Sequence, residues 1–137
     1  MALFSCSACR RRVSPDLRLD RLGAEPRGHR LYVLEVGGRY PRVKVGASEN
    51  VWRRLKEHIA EMNLWQHGLL DAHVTDPMPN GFARKGAEDE ALRFMGSFFQ
   101  RMSREHFAEA SFRDATVIAD VAVQLNREIE APAARPV

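Results

Sequence analysis

Residues 31–45 constrain the fold most. Leu31-Tyr32-Val33-Leu34-Glu35-Val36 is a run of aliphatic, aromatic and β-branched residues, Gly37-Gly38 supplies a reversal, and Val43-Lys44-Val45 resumes the run. That pattern predicts a β-hairpin. Immediately after it, Ser48, Glu49 and Asn50 offer cap chemistry, and Val51, Leu55, Ile59 and Met62 recur at helical spacing. A helix over about residues 49–62 should therefore lay one apolar stripe on the hairpin.

The rest of the chain supplies partners for that unit. Leu69 to Val74 has the composition of a third strand, and Asp76-Pro77-Met78-Pro79-Asn80-Gly81 breaks it. From about Arg84 to Met102 the apolar set is Ala91, Leu92, Phe94, Met95, Phe98, Phe99 and Met102, wide enough for a core-facing helix. A last helix is expected over about residues 111–129, with Ser111 as its cap. At 137 residues with 45% apolar content, the chain has material for one packed domain. The expected class is α/β (α+β), a small three-stranded sheet, mixed or antiparallel, flanked by helices. Residues 1–29 read as a basic arm, 30–130 as the domain and 131–137 as a frayed tail.

Two cysteines, Cys6 and Cys9, are too few for a disulfide framework. They form half of a zinc site for which His29 is a third candidate ligand, and a fourth is missing, so free thiols are the simpler reading. No run approaches the roughly 18 apolar residues of a membrane span, and the N-terminus lacks the features of a signal peptide. A cytoplasmic location is the expectation.

Charge is distributed unevenly. Residues 1–58 hold 13 Lys and Arg against 6 Asp and Glu, whereas residues 59–137 hold 8 against 12. A cationic half favours a polyanion, because each phosphate neutralised releases condensed counterions. Arg10, Arg11, Arg12 and Arg53 are the candidate contacts to nucleic-acid phosphates. A bias of the source genome towards Arg, which supplies 18 of the 21 cations, would also produce the excess.

Several residues of the hairpin and first helix carry usable chemistry. Hydrolysing a phosphodiester needs an activated water, a cation on the phosphate and charge stabilisation at the leaving oxygen. Tyr32 could act as base if the Lys44 ammonium on the adjacent strand favours its phenolate. Arg54 presents a fork of donors matched to phosphate, and His58, one turn on, can donate a hydrogen bond or a proton. In the Glu88-Asp89-Glu90 run, helical phase puts Glu88 on the apolar stripe and turns the other two aside. A carboxylate aimed inward is costly unless paired or cation-bound, which makes Glu88 the candidate ligand for a loosely held Mg2+ or Mn2+. Taken singly, each residue has a plainer reading: Tyr32 as a strand aromatic, Lys44 as an edge charge, Arg54 and His58 as a solvated face, Glu88 as a first-turn acid.

Taken in order, Tyr32, Lys44-Val45-Gly46, Arg54 ten residues after Lys44, and His58 four later resemble the GIY-YIG nuclease superfamily. The similarity is to a phage-type branch with Lys in place of the second motif's Tyr, and it spans about Leu31 to Phe107. Arg30-Leu31 stands where the first motif has Gly-Ile, and the family's downstream Asn has no obvious match, the sole late Asn being Asn126 in the expected last helix. The resemblance implies a metal-dependent DNA endonuclease in which Tyr32, Lys44, Arg54, His58 and Glu88 are catalytic and Glu88 holds the metal. Glu105-His106-Phe107 is similar to a Glu-aromatic-Phe element of that branch, which implies a core role for Phe107 and a structural one for Glu105. Trp52, Trp65 and the helix phenylalanines are expected in the core, and His67, His73 and His106 have no assigned role. The competing class is a nucleic-acid-binding module of the same fold without catalysis.

Overall fold

The computed structural model describes residues 27–64 and 67–129. The expected hairpin is its centre: β1 (Arg27–Gly37) and β2 (Arg42–Asn50) pair antiparallel, with Tyr32 opposite Gly46, Leu34 opposite Lys44 and Val36 opposite Arg42. Gly38, at φ +117°, takes the left-handed conformation the reversal requires. The helix α1 (Val51–Leu64) follows at once, its first turn capped by Asn50, whose Oδ1 accepts from the Arg53 amide at 3.2 Å. Strand β3 (Gly68–Val74) lies antiparallel on the other side of β1.

Downstream are α2 (Gly81–Phe98), β4 (Gln100–Arg101), β5 (His106–Ala108) and α3 (Phe112–Asn126). Among the described residues the sheet has five strands in the order β3-β1-β2-β5-β4, and every neighbouring pair is antiparallel. The α+β class agrees with the sequence, but the expected three strands are corrected to five. The extra pair comes from residues assigned to a helix running to Met102. Instead α2 starts three residues early, where Asn80 Oδ1 accepts from the Ala83 amide at 2.8 Å, and it ends at Phe98. Phe99 is already extended at φ −129°, ψ 153°. The chain then reverses so that Phe107 is fully buried and Arg101 lies over its ring while bonding the Leu92 carbonyl at 2.7 Å. Phe98, the last residue of α2, and Met102, both expected on the core-facing stripe, are exposed.

Strand alternation sends β1 side chains to two separate cores. Leu31 and Val33, with Val43, Val45 and Phe107, pack beneath α2 and α3. Tyr32, Leu34 and Val36 face α1 and pack on Val51, Leu55 and Met62, with Trp52 partly buried beside them. The Ser111 cap of α3 is as expected, its Oγ accepting from the Asp114 amide at 3.1 Å, although α3 ends three residues short of 129. Strand β1 begins at Arg27, inside the stretch read as an arm. Cys6, Cys9, Arg10, Arg11, Arg12, Trp65 and the tail lie outside the described residues. Among the described residues no helix is long and apolar enough to cross a membrane.

Candidate active site

The α1-facing side of the sheet is where the flagged residues meet. Tyr32, on a central strand, is 1% exposed, and its phenol lies flat across β2 over Gly46. A Cβ at residue 46 would fall inside the van der Waals envelope of the Tyr32 hydroxyl and Cζ, so only glycine permits this placement. The hydroxyl meets Nε2 of His58 at 2.8 Å, with the two rings tilted by 47°. His58 reaches it because α1 presents that residue inward on the same side as Leu55; it is buried, not on a solvated face.

Burial sets the protonation of this pair. It pushes the Tyr32 phenol well above its ordinary range, the charge and hydrogen bonding of Arg54 oppose that, and the negative charges of Glu105 and Glu88 add to it. It also pulls His58 down to about 4, helped by the positive charges of Lys44 and Arg54. Both groups are therefore neutral near pH 7, and in the tautomer with its proton on Nδ1 the imidazole accepts the phenol's hydrogen bond at Nε2.

This corrects the expectation that Lys44 lowers the phenol. The Lys44 ammonium is buried 5.6 Å from the centre of the Tyr32 ring, but its charge is met by Glu105 Oε1 at 2.5 Å. Burial raises the Glu105 carboxyl, the Lys44 hydrogen bond and charge outweigh it, and the net result is a lowered value. The resemblance implies only a structural role for Glu105; its part in the site depends on the short strand β5, which brings it within reach of β2.

Glu88 is where helical phase put it. Its side chain is 15% exposed on α2, in line with the buried Ala91, Leu92 and Met95. Burial and the nearby Glu105 charge raise its carboxyl, and Arg104 at 3.9 Å is its nearest cation. Glu90 instead faces α3, accepting from Asn126 Nδ2 at 3.4 Å. Asn126 itself is buried and also bonds the Ala122 carbonyl at 2.7 Å, which accounts for it as a helix-packing residue. Arg104, a residue sequence reading missed, reaches Glu88, Asp89 and Glu105 at 3.6–3.9 Å.

Arg54 is half exposed at the mouth, paired with Glu57 at 3.1 Å, and the Arg53 side chain points to solvent. The mouth opens into a cleft of about 350 Å³ lined by Lys44, Arg54, His58 and Glu105, then by Arg42, Glu61, His67 and His106. Among the described residues no group of three or more His, Cys, Asp or Glu forms a metal cage. Glu88 does fit a cation held by one carboxylate and completed by water and phosphate oxygens. Its half-buried charge, close to that of Glu105, is one a divalent ion would stabilise. The chain matches no family model, no curated protein and no solved structure.

Proposed function

We propose that the chain is a metal-dependent endonuclease of the GIY-YIG type that hydrolyses phosphodiester bonds of DNA. The observation that carries this reading is the buried Tyr32–His58 hydrogen bond laid over Gly46, with Lys44, Arg54 and Glu88 around it. A neutral phenol is a poor base alone. Coupled to a neutral imidazole it can take a proton from water at Oη while its own proton passes to Nε2, so no free phenolate is needed. Arg54, at the mouth, holds non-bridging phosphate oxygens. Lys44 and Glu105 fix the floor of the cleft. Glu88 would hold Mg2+ or Mn2+, whose contribution is charge stabilisation at the phosphoryl and leaving oxygens.

A second reading, a nucleic-acid-binding module without cleavage, is favoured by one observation, the near-complete burial of Tyr32. Labelled single- and double-stranded DNA incubated with the purified chain separates the two. The nuclease cuts with Mg2+ and not with a chelator, and Glu88→Ala abolishes cutting while binding in chelator is retained. Glu90→Ala should still cut. Binding without cleavage under every metal condition favours the module, and wild-type cutting by Glu88→Ala removes the metal-ligand assignment.

A further inference from the structure

The cleft continues past the residues used above, and at its far end is a cation that the catalytic reading leaves unexplained. Arg42 lies two residues before Lys44 on the same face of β2, opposite Val36 as Lys44 is opposite Leu34. At about 3.4 Å per residue, the two Cα atoms are roughly 7 Å apart, so Arg42 stands beyond the Lys44 floor by a displacement comparable with one phosphate-to-phosphate step away from the phosphate that Arg54 would hold. The cations at the near end have carboxylate partners: Lys44 has Glu105 and Arg54 has Glu57. The partly buried Arg42 has none within ion-pair distance among the described residues. Its Nη1 donates to the Tyr40 carbonyl at 3.0 Å, and its Nη2 meets His67 Nδ1 at 3.1 Å.

Those bonds aim the guanidinium without neutralising it. His67 accepts at Nδ1, so a neutral ring carries its proton on Nε2. The ring is held in place by its own backbone amide, which donates to the Met62 carbonyl at 2.9 Å. On the opposite wall His106 Nδ1 meets Ser103 Oγ at 2.8 Å, and a donating hydroxyl there likewise leaves Nε2–H. Burial, with the charges of Lys44 and Arg42, lowers His106 to about 4 and keeps it neutral. One fixed cation and two imidazole donors suit a phosphate; the Glu61 carboxylate on the same cleft acts on Arg42 only from beyond ion-pair distance, so a half-buried cation with no acid in contact still gains from one.

We propose that Arg42, with His67 and His106, forms a second phosphate site that takes the phosphate next to the scissile one on the same strand. The proposal rests on the nuclease reading and specifies its substrate: a strand with at least two consecutive phosphates, one nucleotide spanning the cleft between them. An isolated phosphodiester engages only the near end.

The test is NMR titration of the full chain, in chelator, with the thymidine dinucleotide dTpdT (one phosphate) and the trinucleotide dTpdTpdT (two). Wild type should bind the trinucleotide at least ~10-fold more tightly, with a salt slope steeper by about 0.7. Arg42→Met should erase that difference, and Arg42→Lys, which keeps the charge and loses the fork, should retain part of it. If Arg42→Met is poorly folded by thermal melting, the comparison of Arg42→Lys with wild type decides the matter. Equal affinity of wild type for the two ligands, or an unchanged preference in a folded Arg42 variant, overturns the second site while the nuclease reading stands. Failure to bind either ligand and to cut DNA with Mg2+ overturns the nuclease reading and the second site with it.

Discussion

The Lys44 ammonium is matched to the Glu105 carboxylate, 2.5 Å away and 61 residues along the chain, rather than to the phenol whose ring lies beside it. Removing Glu105 leaves a buried ammonium unpaired, and removing Lys44 leaves Glu105, among the described residues, only the more distant Arg104 at 3.6 Å. Lys44→Met should lower stability by about 1–3 kcal/mol, discounted from the fully buried case because Glu105 keeps some exposure. Lys44→Met combined with Glu105→Gln should cost less than the two singles added. Urea unfolding of the four proteins measures the coupling; additive losses would mean that the pair contributes nothing.

On the proposed nuclease reading, the pH dependence of cleavage follows from the neutral Tyr32–His58 pair. With the phenol raised and His58 lowered to about 4, the base couple is intact once His58 is deprotonated. Single-turnover rates should climb on an acid limb near that value and stay level from about pH 6 to 9. Tyr32→Phe should be inactive throughout, and His58→Gln should lose roughly 10²–10⁴-fold. A wild-type rate still rising between pH 8 and 10 would restore the phenolate mechanism.

Stability should also respond to acid. His58 and His106 both titrate near 4 in the folded protein, against 6.5 for a free imidazole. Between those values the unfolded chain binds protons that the folded chain refuses. The contribution is fully present above pH 6.5 and is lost as pH falls towards 4. The expected slope is about 1.4 kcal/mol per pH unit for each proton involved. Denaturant midpoints at pH 7 and 5 would measure it, and replacing His58 with Gln should flatten the curve. Equal midpoints at the two pH values would mean that the imidazoles are hydrated and charged.

Gly46 makes a sharper prediction about position. Gly46→Ala places a methyl group where the Tyr32 hydroxyl now lies, and the phenol, enclosed by α1, has little room to retreat. The variant should lose about 1–3 kcal/mol of stability and most of its cleavage, while DNA binding through surface arginines persists. Retention of full activity would show that Tyr32 need not lie over β2.

How much of this was readable in the sequence depended on the range of the interaction. The β1–β2 hairpin, α1 and β3 come from local alternation and spacing, and Leu31, Leu34, Val45 and Leu55 were identifiable as core from those patterns alone. Glu88 was recoverable too, because helical phase is a local property. The strands β4 and β5 were not. They are two and three residues long, and the helical spacing of Phe98 and Met102 argued against them. What overrode it was the burial of Phe107 against β2, a contact between segments far apart in sequence. The direction of the Tyr32 shift was hidden for the same reason. The sequence shows a lysine on the next strand but not the carboxylate that binds it, and burial of the phenol is a property of the assembled sheet.

One feature of the hairpin carries a cost that substitution tables do not show. Leu31 and Tyr32 are adjacent in sequence and committed to opposite sides of the sheet, one under α2 and α3, the other under α1. Sliding β1 by a single residue against β2 would exchange them, pointing the phenol into an aliphatic interior and a leucine at His58. Ordinary greasy residues such as Val33 and Val45 therefore act as a phase lock for the chemistry. Damage to them would be felt as misplaced reactive groups before it was felt as unfolding.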